Sequence, residues 1–191
     1  MSVNPNTREI GSSVSNAVLS WSVSKPTSSI ILTLPTGSSV SVNGKTSHTD
    51  TNTYTANKTW TLKATEENGK SDGTYATATV TATLSFLNGV YYGVSSDSGI
   101  AASDSDAILA LTKSLRSSKL TSFNVTAGAG QYIYYCLPKR MGTCSFNVGG
   151  FDGGFSLVSD GSFTNASGYA EDYYIYRSDN ASLGATTVTV T

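Results

Sequence analysis

The sequence predicts a mainly β chain in two unlike domains, the second carrying one α-helix. Side chains alternate with period two through most of the 191 residues, and turn-forming Gly, Pro, Asn and Asp clusters punctuate the alternation. Only "SDSDAILALTKSLRSS" has helical spacing. Composition agrees: 13% of the chain is charged, against about 25% in typical soluble domains. Ser, Thr, Gly and Asn fill the difference, as in proteins with many turns and hydroxylated strand surfaces.

Residues 1–17, "MSVNPNTREIGSSVSNA", show no sustained pattern and are expected to form an N-terminal arm. From Val18 to Phe86 the alternation is clear. "VLSWSV" places Leu19, Trp21 and Val23 on one face, "TWTLKA" places Trp60, Leu62 and Ala64, and "TVTATLSF" places Val80, Ala82, Leu84 and Phe86. The turns "KPTSS", "LPTG", "VNGK" and "ENGKSDG" separate these runs. Six or seven short strands at this spacing predict an immunoglobulin-like β-sandwich over residues 18–87, with Trp21 and Trp60 as central packing residues and no inter-sheet cystine.

"FLNGVYYGVSS" reads as a short, stiff connection into a C-terminal β-domain over residues 88–191. Its helix is expected near residues 104–118. Ser103 or Ser105 would cap it, Asp104 and Asp106 would lie at the positive end of its dipole, and Ile108, Leu111 and Leu115 would form the apolar stripe. Six strands follow, in "FNVTA", "QYIYYCLP", "CSFNV", "FSLV", "YYIYRS" and "TTVTVT". In the second of these, Tyr132, Tyr134 and Cys136 share one face while Ile133, Tyr135 and Leu137 share the other. Both faces are bulky, so this strand is expected to be central and covered on both sides.

Both cysteines lie in "IYYCLPKRMGTCSF", eight positions apart. With "KRMG" as a turn, Cys136 and Cys144 are expected roughly opposite each other in a β-hairpin, as two half-buried thiols. A disulfide there would close a loop of about nine residues and contribute at most about 2–3 kcal/mol. A chain folded in a reducing compartment does not favour it. A metal site would need further ligands, and the single histidine, His48, falls in the other domain. A Ser-His-Asp triad would have to run through His48, and no G-x-S-x-G elbow is present.

Asp152, Asp160, Glu171 and Asp172 could pair as catalytic carboxylates, but each sits in turn-like surroundings that predict an ordinary solvated group. "GGFDGGF" has the look of a glycine-rich calcium repeat, yet occurs once; it predicts a tight turn with Phe151 and Phe155 packed beneath it. The sequons at Asn57, Asn124, Asn165 and Asn180 are expected by chance in so hydroxyl-rich a chain. Among eleven tyrosines, the pairs Tyr91-Tyr92, Tyr134-Tyr135 and Tyr173-Tyr174 should each send one ring into the core and leave the other outside with its hydroxyl wet. No catalytic, cofactor-binding or metal-ligating residue is therefore assigned, and no cofactor is expected.

Twelve basic residues against thirteen acidic ones leave no basic block, which argues against nucleic acid as a partner. No run reaches the ~18 apolar residues of a membrane span. No apolar h-region opens the chain, so use without Sec export is expected.

Taken together, "LSWSVSKPTSSIILTLPTGSSVSVNG", "TYTANKTWTLKA", "LSFLNGVYYGVS", "GQYIYYCLPKRMGTCSFNVGGFDGGFSLV" and "YYIYRSDNASLGATTVTV" resemble bacteriophage and prophage virion structural proteins of tail-fibre, baseplate or head-fibre type. The resemblance spans nearly the whole chain and rests on structural rather than chemical motifs. It implies a non-enzymatic component made in a bacterial host cytoplasm and located in the virion. Other virion proteins would be its partners, a homotrimer its assembly, and a host-surface glycan or protein its target. In similar proteins an attachment region precedes these domains. Residues 1–17 are short for one, so the chain is expected to be a trimmed fragment or a protein attaching through one of its two domains. Two other readings compete: a carbohydrate-binding module using exposed Tyr and Asn/Asp side chains, and a glycan-degrading enzyme.

Overall fold

A computed structural model describes residues 1–69 and 73–191. Part of the turn expected in "ENGKSDG" lies outside the described residues. The chain divides into two compact units, Met1–Phe86 and Leu87–Thr191.

Unit 1 is built from β1 (Ser2–Asn4), β2 (Thr7–Glu9), β3 (Ala17–Ser20), β4 (Thr27–Thr33), β5 (Ser39–Ser41), β6 (Ser47–Asp50), β7 (Lys58–Glu66) and the first part of β8 (Thr77–Ser95). One sheet has the order β1-β3-β6; the other has β5-β4-β7-β8, with β2 also paired to β8. Leaving β2 aside, the first, second and fifth strands form one layer and the remaining four the other. That is an immunoglobulin-like Greek key in which the fourth strand lies beside the third. Leu19 from one sheet and Ile30, Leu32, Trp60, Leu62 and Leu84 from the other fill a common core. Trp60 is fully buried and Trp21 nearly so, as alternation predicts, whereas Val23, beyond the end of β3, and Val80, near the start of β8, are exposed.

The first seventeen residues are no free arm. β1 pairs with β3, and the chain then crosses to the other sheet through the cis Asn4–Pro5 peptide, where the Ser85 amide donates to the Asn6 carbonyl. Val3, Val14 and Ala17 are buried in the core. β1 carries a single apolar residue and β2 none, too few to register as alternation.

Unit 2 contains the rest of β8, α1 (Ser105–Leu109), β9 (Thr112–Arg116), β10 (Ser122–Ala127), β11 (Tyr132–Pro138), β12 (Phe146–Val148), β13 (Phe151–Asp152), β14 (Phe155–Thr164), β15 (Ala170–Ser178) and β16 (Gly184–Val190). The expected connection "FLNGVYYGVSS" is itself mostly strand, pairing with β9 and β11. One sheet runs β14-β15-β11-β8, with β9 on β8's other edge; the second runs β10-β16-β12-β13. Between them pack Ile133, Tyr135, Leu137 and Tyr176 from the first and Phe123, Phe146, Val188 and Val190 from the second. The far face of the first sheet, with Tyr91, Tyr134, Cys136 and Ile175, is covered by Ile100, Ala102, Ile108 and Leu111. β11 is therefore central and buried on both faces.

The helix is far shorter than residues 104–118. Asp104, rather than Ser103 or Ser105, is its N-cap, with Oδ1 accepting from the Ala107 amide at 3.2 Å. Its apolar stripe stops at Leu111, because Thr112–Arg116 is drawn into the sheet as β9 against Asn88–Tyr92. Five residues of ladder outcompete one further helical turn, which carries a marginal propensity of its own.

Candidate functional site

The cysteine segment is no hairpin. After β11 ends at Pro138, a 3-10 turn at Lys139–Met141 and Gly142, at φ 84°, turn the chain away from the first sheet. It enters the second sheet as β12, paired with β16 and β13. Phe146 drives the crossing by packing between the sheets, stacked on Phe155 at 4.3 Å. The two sulfurs thus join different cores: Cys136 beside Tyr134 on one face of the first sheet, Cys144 against the inter-sheet layer on the other. Both are free thiols. Burial pushes Cys136 well above the ordinary thiol range and Cys144 up to about 11, the latter against a lowering influence from Lys119.

Three of the four candidate carboxylates converge, and cations hold them. Lys139 Nζ lies 3.0 Å from Asp160 Oδ2 and 3.9 Å from Asp172 Oδ2, and 5.5 Å from the centre of the Tyr174 ring. Arg140 Nε contacts Glu171 Oε1 at 2.5 Å, while the Asn88 amide donates to the other Glu171 oxygen. The hydrogen bond to Asp160 holds the Lys139 ammonium above its ordinary pKa, more than its slight burial lowers it. "KR" is thus the counter-charge of a β14–β15 acidic edge. Asp152 stands apart and accepts from Asn147 Nδ2 at 2.8 Å. His48 lies in β6 opposite Leu19. No group of three or more His, Cys, Asp or Glu among the described residues is arranged to hold a metal ion.

The tyrosine pairs depart from expectation. Because both faces of the first sheet are covered, Tyr134 and Tyr135 are both fully buried, and Tyr92 and Tyr174 are half-buried partners of the buried Tyr91 and Tyr173. Their hydroxyls tie down neighbouring segments. Tyr134 donates to the Asp97 carbonyl at 2.7 Å and Tyr173 to the Gly89 carbonyl at 2.8 Å. Tyr135 bonds both polar backbone groups of Leu120. The exposed tyrosines are the unpaired Tyr75 and Tyr169.

Two polar arrangements escaped the sequence reading. The first is Asp50, only 1% exposed, which accepts from Trp60 Nε1 (2.7 Å), Tyr54 hydroxyl (2.8 Å), and the Asn52 amide and side chain (3.0 and 2.7 Å). Burial raises its pKa, but these four hydrogen bonds together hold it below the ordinary carboxylate value. The local signal was "DTNTY", an Asx-turn pattern beside the core tryptophan. The second is a concavity of about 910 Å³ on the second sheet of unit 2, lined among others by Asn124, Thr126, Asn147, Gly149, Thr187 and Thr189. Asn124, Thr187, Thr189 and Asn147 alternate with the buried Phe123, Val188, Val190 and Phe146, so they occupy the sheet's outer face. Gly149 and Gly150, at φ 57° and 94°, form the two-residue turn between β12 and β13. Phe151 follows them at 81% exposure, whereas only Phe155 packs inward as expected of both.

Comparison with known protein-family models and with curated proteins finds no match. No helix among the described residues is long and apolar enough to cross a membrane.

Proposed function

We propose that this chain is a non-enzymatic virion structural protein of a bacteriophage, a fibre-, tail- or head-associated module that serves assembly and adhesion to the host surface. One observation carries the reading: the candidate reactive side chains are each engaged by a neighbouring group of the fold. Asp160, Asp172 and Glu171 are bound by Lys139 and Arg140, both thiols are sequestered in separate cores, and Asp50 is spent on Trp60 and Tyr54. The outer strand faces carry cross-strand hydroxyl and amide pairs instead, such as Thr59 opposite Thr83 and Asn124 opposite Thr187. The likeness of the sequence segments to virion proteins points the same way. Rigid sheets with few charges suit contacts made by shape and weakly dependent on salt.

Glycan degradation would require one protonated and one ionised carboxylate facing a cleft, whereas these carboxylates accept from cations. Adhesion through a sugar is the reading favoured beside assembly, because the uncharged, hydroxyl-lined concavity offers contacts to such a ligand. The expected assembly is a homotrimer, three times the 19.9 kDa of one chain. Light scattering of the purified protein, with immunodetection in gradient-purified particles, tests this. A strict monomer missing from particles would end the virion reading.

A further inference from the structure

Resting on the adhesive reading above, we infer that the concavity over β10, β16 and β12 is the adhesive site itself, and that its ligand is a neutral glycan. None of its lining residues bears a formal charge. An anionic ligand would lose hydration there without meeting a counter-charge, and the Asp152 carboxylate at the rim already accepts from Asn147 Nδ2. What the surface offers instead is a fixed set of amide and hydroxyl groups. Thr187 Oγ1 donates to Asn124 Oδ1 at 2.7 Å, which holds the Asn124 side chain in place. Asn124 Nδ2 and the hydroxyls of Thr126 and Thr189 make no hydrogen bond to another described residue. They are left to a ligand rich in hydroxyls, which can both donate and accept.

The wall of the concavity is equally fixed. Asn147 uses its amide nitrogen on Asp152 and accepts from the Gly150 amide at 3.0 Å, locking the β12–β13 turn beside the floor. A Cβ at Gly149 would lie 3.3 Å from Thr186 Oγ1, whereas Gly150 faces open space. Glycine at both positions keeps the wall low enough for a ring to approach the backbone. Contacts built on strands and pinned by their neighbours need little ordering on binding.

A peptide fits less well. Extended peptides add to sheet edges through free main-chain groups. Here the floor strand β16 lies between β10 and β12, paired with β10 along Gly184–Thr189 and with β12 along Val188–Val190, so Val188 and Thr189 in the middle of the floor offer no free edge. The concavity is shallow and open, so a ligand would lie across the strands rather than be enclosed. With few apolar contacts, each site should be weak alone and effective in multiple copies.

The test uses the full chain on an array of neutral, anionic and amino-sugar oligosaccharides, followed by titration of the strongest neutral oligosaccharide. Asn124→Ala and Thr187→Val are each expected to weaken binding about tenfold while melting within a few degrees of the parent, and Tyr169→Ala to leave binding unchanged. Silence toward neutral sugars, preference for charged ones or for peptides, or binding that survives the Asn124→Ala/Thr187→Val double variant would overturn the assignment. Glycan binding by a protein missing from particles would instead support the site and sink the virion reading alone.

Discussion

Asp50 shows how a single residue can set the terms for a core. A buried carboxylate is costly unless its lone pairs are filled, and four donors from Asn52, Tyr54 and Trp60 fill them. Asn at this position would turn an amide N–H₂ toward those donors. Asp50→Asn should therefore destabilise the protein by about 2–4 kcal/mol at pH 7, measured by urea denaturation. The pH dependence has a definite sign. Because the folded pKa is depressed, the Asp50 contribution is complete above the unfolded value and is lost as pH falls through the folded one. The stability gap between parent and Asp50→Asn should hold steady from pH 7 to about 5 and narrow below about 4. A gap that persisted unchanged to pH 2 would contradict this account. On the alkaline side, burial and then Asp50 push the Tyr54 hydroxyl up to about 12, so its donated bond survives ordinary basic conditions. The thiols give a second residue-scale prediction. With Cys144 raised to about 11, only about one molecule in a thousand is thiolate at pH 8, and Cys136 is less reactive still. Iodoacetamide should label the native chain slowly and Cys144 first, as mass spectrometry would show, while urea should expose both at once.

Among the elements, the β12–β13 hairpin is the one most dictated by local chemistry. Its two central residues both need positive φ, a conformation costing an L-residue about 1–2 kcal/mol, and both are glycine. Gly149→Ala should cost at least that much, since its Cβ also crowds Thr186, and Gly150→Ala somewhat less. Thermal melting of the two variants would rank them, and the reverse order would count against this geometry. At β8 the constraint is packing rather than backbone angle. A Cβ on Gly89 would fall 2.6 Å from the ring of Tyr91, which is fully buried and has no room to yield. Gly89→Ala is expected to destabilise by about 1–3 kcal/mol in a denaturation experiment. β9 teaches the opposite lesson. "LTKSLR" has the spacing of a helix, and a neighbouring strand with a free edge made it a strand.

For the molecule as a whole, low charge sets the response to its surroundings. The ion pairs Lys25–Glu66, Lys139–Asp160 and Arg140–Glu171 involve exposed or partly exposed groups, where water and salt screen the attraction and each pair adds little to stability. Raising NaCl from 50 to 500 mM should thus shift the melting temperature by only about 2–3 °C. A large drop would mean that the Lys139–Arg140 cluster contributes far more than its exposure allows. Within each unit the core is bounded by two sheets, and unit 2 adds a second apolar layer beneath the α1 segment.

Strand positions were readable wherever an apolar residue recurred every second place, as at Trp60-Leu62 and Ile133-Tyr135-Leu137. The double burial of β11 was readable too, from bulk on both its faces. β1, β2 and β13, at two or three residues each, are too short to show a period. Nor could any local pattern show that Cys136 and Cys144 part company, because that depends on Phe146 finding its place between two sheets. The same holds for the site. Asn124, Asn147 and Thr187 are ordinary hydroxyl and amide positions along the chain, on strands far apart in order. Alternation is a property of one strand and is written in its residues; which strands become neighbours depends on where distant apolar groups can be buried together, and that alone gathers these three side chains around one hollow.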